Sequence, residues 1–145
     1  MFLALVFVMF TCIVLGMGMP TVAAYIITFA IGGPVLIELG VPTLAAHMFV
    51  LYFAVLSLIA PPVMVASFGA AALAEASVTG TGLAAIRFAG LAFIIPYVFV
   101  FNQELLIIGS SLSVFMIALT TLTAVVGAVL FGVAVSGYPA RTIVE

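Results

Sequence analysis

Charge is almost missing from this 145-residue chain. Six residues carry it, Glu38, Glu75, Arg87, Glu104, Arg141 and Glu145, a 4% share where a soluble domain holds about a quarter. A net charge of -2 with no basic cluster removes nucleic acid from the possible partners. The single cysteine, Cys12, excludes an internal disulfide, and in its apolar run the thiol reads as a small buried hydrophobe. His47 is the one histidine, and no apolar tract has an interior carboxylate, so no side-chain cluster is available for a structural or catalytic metal. Ser57 and Ser67 lack a Gly-x-Ser-x-Gly setting, and Gly80-Thr81-Gly82 is not followed by the lysine of a phosphate loop. The expectation is no enzyme and no organic cofactor.

What the chain does have is apolar surface: 68% hydrophobic residues and a mean hydropathy of +1.64. Three uncharged tracts exceed the ~20 residues that a bilayer-spanning helix needs. The expected fold class is therefore all-α, a polytopic integral membrane protein, with residues 1–145 forming one membrane domain embedded in the lipid bilayer. Met1 to Leu15 contains no Lys or Arg, unlike the basic start of a secretory signal peptide, and reads as a helix already inside the membrane. With its abrupt apolar start, and Arg141-Thr142-Ile143-Val144-Glu145 just past a hydrophobic run, the chain has the look of a piece of something longer.

The first tract, Phe2 to Ile37, is too long for one straight span. Gly16-Met17-Gly18-Met19-Pro20-Thr21 breaks it, because glycine carries excess backbone entropy and proline lacks a donor and clashes with the preceding turn. A second interruption is expected at Gly32-Gly33-Pro34, ahead of a polar turn at Glu38 to Thr43. The next tract, Thr43 to Ala74, would be about 48 Å as one helix, against ~30 Å of hydrocarbon. Ala60-Pro61-Pro62 near its middle predicts a discontinuous helix, Leu44 to Ile59 and Val63 to Ala74. Glu75 to Gly82 reads as a surface loop, Leu83 to Phe101 as a helix with a kink at Pro96, Gln103 to Ser111 as a turn, and Leu112 to Val135 as a last span. Gly127 and Gly132 in that span are available for close helix packing. One span between Glu104 and Arg141 would leave both arginines on one side, the cytoplasmic one by the positive-inside rule.

Non-helical backbone at membrane depth is tolerated only where protein buries it or it lines a polar cavity. Half-helix ends there attract ions: amide ends attract anions, and freed carbonyls coordinate cations. Gly16 and Gly18 allow close approach, Thr21 adds a hydroxyl, and Pro61 and Pro62 would free upstream carbonyls such as those of Ser57 and Leu58. Sodium, a hard cation, takes such oxygens without needing a carboxylate. The bland reading of each break is a kink that serves packing, which two dense breaks in overlong tracts make less economical. His47, beside the Thr43 turn, reads as a packing or interfacial residue rather than a proton relay. Arg87 reads as snorkelling to a headgroup.

Four runs carry a resemblance: Gly16-Met17-Gly18-Met19-Pro20-Thr21-Val22-Ala23-Ala24-Tyr25, His47 to Phe53, Leu58-Ile59-Ala60-Pro61-Pro62-Val63, and Pro96 to Asn102. In order and spacing they resemble the C-terminal half of the TRAP transporter large permease subunit, closest to the branch in which small and large membrane subunits are fused. The resemblance implies half of an inverted-repeat, elevator-type secondary transporter, with residues 1–74 supplying a transport-domain-like re-entrant hairpin and broken helix, and 83–137 supplying C-terminal membrane helices. It further implies sodium as coupling ion and an organic acid or related solute, delivered by an extracytoplasmic solute-binding protein to an inner-membrane permease. The first repeat and small-subunit region of the same transporter would be partners, and this portion is not expected to transport alone. On this basis sodium is assigned mainly to backbone oxygens of Gly16, Gly18, Thr21 and Ala60, with Pro61 completing the ion- and substrate-binding set. Two positions depart from the family pattern: Met19 stands where unfused members often carry aspartate, and Ala60 where many carry threonine, which removes a hydroxyl. The competing class is a non-transporting membrane scaffold or assembly subunit. Upstream coding sequence for a matching inverted repeat would discriminate against it.

Overall fold

A computed structural model describes residues 1–106 and 114–136. Among them the chain is all-helical, with six α-helices and a short 3-10 turn over Gln103–Leu106. The helices are α1 (Phe2–Gly16), α2 (Thr21–Glu38), α3 (Thr43–Leu56), α4 (Val65–Leu73), α5 (Val78–Phe101) and α6 (Val114–Ser136). By length and composition, Thr21–Glu38, Val78–Phe101 and Ile117–Val135 are each long and apolar enough to cross a membrane. Their outer faces carry bare hydrophobic side chains such as Val22, Phe88 and Leu130, a surface that only lipid or other apolar protein can cover. The fold is that of a polytopic membrane protein.

The first pair is an antiparallel helical hairpin. Three rungs spaced by one helical turn hold it: Gly16 against Ala24, Cys12 against Thr28, and Val8 against Gly32. Each rung has at least one small member, so the backbones approach closely without any hydrophobic drive between helices in lipid. The Thr28 hydroxyl is buried and donates to the Ala24 carbonyl at 2.7 Å, which removes the cost of an unpaired polar group there.

The expected break at Gly32-Gly33-Pro34 is absent, and α2 runs through it. Proline's fixed φ is helical, and part of its clash falls on the Cβ of the residue before it. Here that residue is Gly33, which has none. Helix α2 ends instead at Glu38, four residues after Pro34, in a Schellman cap: Val41 N–H donates to the Leu36 carbonyl at 3.0 Å and Gly40 N–H to Ile37 at 2.9 Å. Gly40 supplies the required left-handed conformation, with φ +87°.

Helices α3 and α4 are two pieces of one interrupted tract, about 21 Å and 14 Å long at 1.5 Å per residue. Neither piece reaches across ~30 Å of hydrocarbon. Both lie along α5, antiparallel to it: Phe49 meets Tyr97 edge-on at 5.3 Å, Phe53 lies 6.3 Å from Phe93, and Met64, just before α4, fills the space beside Gly82. Helix α5 begins at Val78, so the expected loop up to Gly82 is partly helical. Ser77 caps it, accepting from Gly80 N–H at 3.2 Å, and the contact of Gly82 with Met64 rewards the helical path. Pro96 lies buried inside α5. Leu5, Leu36, Ala45, Phe49 and Phe53 form the centre of the core, to which α1, α2 and α3 all contribute. Among the described residues nothing lies within contact of a side chain added at Gly127 or Gly132, so neither forms a close helix contact there. Residues 107–113 of the expected turn and last span, and Arg141, lie outside the described residues.

Candidate functional site

The runs at Gly16 to Thr21 and Ala60 to Pro62 both interrupt their helical tracts, and the fold brings them together. Helix α1 stops at Gly16; Met17 turns extended, Gly18 adopts φ +74°, and Pro20 leads into Thr21. Helix α3 stops at Leu56 with Ser57 as its cap, and regular structure resumes at Val65 after Met64 in the left-handed region. Gly16 packs on Ser57 so closely that a Cβ on the glycine would lie 2.5 Å from Ser57 Oγ. Beyond it, the Cα of Gly18 faces Val63, with 3.8 Å between an added Cβ and Val63 Cγ1. The hairpin tip is thus seated on the broken helix.

The electrostatic consequence follows from which ends meet. Gly16 closes α1 and Ser57 caps α3, so two helix C-termini converge, each with the partial negative charge of its last carbonyls, about half an electron. Like ends abutting are unfavourable unless something positive lies between them, and the amide ends of α2, whose Ala24 lies against Gly16, and of α4 supply only part of that. Among the described residues, no backbone amide donates to the carbonyls of Met17, Gly18, Ser57, Ile59 or Pro61. Those oxygens have full capacity to accept.

The expected site residues take different places in this arrangement. Gly16 is buried at the junction and its carbonyl accepts from Met19 N–H at 3.3 Å; Gly18 is exposed at the tip. Thr21 opens α2, half-buried, and its hydroxyl makes no hydrogen bond among the described residues. Ala60 is buried in the core cluster, with its carbonyl accepting from Met64 N–H at 3.2 Å, while Pro61 is exposed. A carbonyl with one amide partner keeps a second lone pair for a cation. The Leu58 carbonyl, expected to be free, instead accepts from Ala66 N–H at 3.1 Å and ties the start of α4 back to the end of α3. That bond crosses the break because Pro61 and Pro62 cannot donate and the chain must loop to find an amide.

Two hydroxyls matter that the sequence pattern did not single out for this role. Ser57 is 1% exposed, donates to the Ala54 carbonyl at 2.7 Å, and so presents its oxygen lone pairs toward the hairpin tip. Ser67, in the first turn of α4, is 2% exposed and its hydroxyl has no hydrogen-bond partner among the described residues. Orphaned polar atoms of this kind are uncommon and each costs about 1–3 kcal/mol. His47 is a packing residue here: its ring stacks on Phe29 at 3.7 Å and its Nδ1 lies 2.6 Å from the Tyr25 hydroxyl.

The chain's first 114 residues match the family described as "Tripartite ATP-independent periplasmic transporter, DctM component". The chain belongs to that family. It is therefore a membrane component of a TRAP transporter permease, a transporter family rather than an enzyme family. No curated protein and no solved structure shows significant similarity to it.

Proposed function

We propose that this TRAP permease component forms the second-repeat part of a sodium-coupled carrier, with the ion held where the C-terminal ends of α1 and α3 meet. The observation that carries the proposal is the seating of Gly16 on Ser57, which juxtaposes two negative helix ends and a set of carbonyls without amide partners. The cation would be held by main-chain oxygens near Gly16, Gly18, Thr21, Ala60 and Pro61, joined by the Ser57 hydroxyl. A hard monovalent cation suits an all-oxygen site without carboxylates. Residues 1–74 would move as part of the transport block, presenting the site to alternate faces of the inner membrane. The solute would be an organic acid or related molecule, handed over by an extracytoplasmic binding protein, with the rest of the permease completing the site.

The test is solute uptake into proteoliposomes by the full-length permease with its binding protein, under an imposed sodium gradient. Uptake should collapse when potassium replaces sodium outside. Uptake that runs equally well on a proton gradient, with no response to sodium, would remove the cation assignment.

A further inference from the structure

Arg87 is the sole arginine among the described residues; it is exposed and makes no ion pair or hydrogen bond among them. It lies on α5 in register with Leu91, Ile94, Ile95 and Val98, positions that share one helix face. That face forms one wall of an apolar groove of about 570 Å³, closed on the other side by α6 residues such as Val125 and Phe131 and floored by Tyr52. Helices α5 and α6 are antiparallel there, since Gly90 lies against Phe131. The groove spans Thr121 to Phe131 on α6, about 15 Å of rise, which is half of the ~30 Å hydrocarbon core and so one leaflet deep. Arg87 sits about 6 Å beyond Leu91, one turn past the groove's end.

The length selects the occupant. A run of about 15 Å is half of what a transmembrane helix packs along, and it matches one acyl chain, which stays within its own leaflet. An acyl chain gains little by leaving bulk lipid for an apolar wall, so selectivity must come from the cation at the groove's mouth, whose long side chain can reach the headgroup layer.

We infer that the α5–α6 groove is a binding site for one anionic phospholipid, its acyl chain in the groove and its phosphate on Arg87. A single basic residue near an anionic headgroup corresponds to about a fivefold preference over a zwitterionic lipid.

The experiment uses the full-length permease with its binding protein in phosphatidylcholine vesicles doped with a phosphatidylglycerol that carries a photoreactive group in one acyl chain. Peptide mapping should place the label on α5 and α6 within the groove, and unlabelled phosphatidylglycerol should compete about fivefold better than phosphatidylcholine. Arg87→Gln should erase that difference, and Ala128→Phe, which fills the groove, should lower labelling whichever competitor is used. Equal competition by the two lipids in the unaltered protein overturns the inference. So does an absence of groove labelling, which would mean that another part of the transporter covers this face.

Discussion

A methyl group on Gly16 would press on both Oγ and Cβ of Ser57, at 2.5 and 2.9 Å, and neither atom can swing away because Ser57 is held through its bond to Ala54. Gly16→Ala is expected to cost about 1–3 kcal/mol, the range for overpacking. Ser57→Gly in the same chain should restore most of it, as read by thermal unfolding of the full-length permease in detergent; an undisturbed Gly16→Ala protein would mean that the tip and the break do not touch. Gly18 fails for a different reason. Space is ample around it, but φ +74° penalises any side chain by about 1–2 kcal/mol and a β-branched one most. Gly18→Asn should therefore keep much of the sodium-dependent uptake that Gly18→Val abolishes, with membrane insertion normal in both. Equal activity of the two variants would show that the tip's conformation is irrelevant to coupling. Ser67→Ala should leave stability unchanged or slightly raised, because its hydroxyl has no partner to lose; a loss above about 1 kcal/mol in the same unfolding assay would reveal a bond not seen here.

Among the helices, Gly82 is the point at which α4 is fastened to α5. Its buried Cα leaves room for the Met64 side chain, so Gly82→Val should displace Met64 and loosen α4, at a cost of about 1–3 kcal/mol. Hydrogen exchange should rise in α4 and stay unchanged in α1 and α2; protection that remained uniform would rule out a local fastening. This level also shows what could be read from the sequence. The two breaks were legible because Gly16, Gly18 and Pro20, and then Pro61 with Pro62, each remove helix hydrogen bonds or stiffness within a few residues. Gly32-Gly33-Pro34 has the same composition and does not break, since Gly33 relieves the proline and Gly32 is held against Val8. The start of α5 was illegible for the opposite reason: Val78, Thr79, Gly80 and Gly82 are weak helix formers, and tertiary packing overrides that weakness. The bond from Ala66 to Leu58 was equally invisible, because it depends on how the chain loops after two prolines.

At the scale of the molecule, the seating of the hairpin on the broken helix joins segments far apart in sequence, and no local pattern encodes it. Periodicity could supply the two interruptions but not their meeting. It can be tested directly: Gly18→Cys with Val63→Cys, in a Cys12→Ala background, should form a disulfide under mild oxidation, since the two side chains come within ordinary contact. Failure to cross-link under conditions that oxidise exposed pairs elsewhere would separate the two segments. Helix α5, meanwhile, runs without interruption beside α3 and the start of α4. A snapped rod lashed to a whole one keeps its stiffness, so the tract can bare its oxygens at the fracture without acquiring a hinge there. Any rocking of this region has to carry α3, α4 and α5 as one piece, and the hairpin, whose Leu5 and Leu36 share the core of Phe49 and Val100, travels with them.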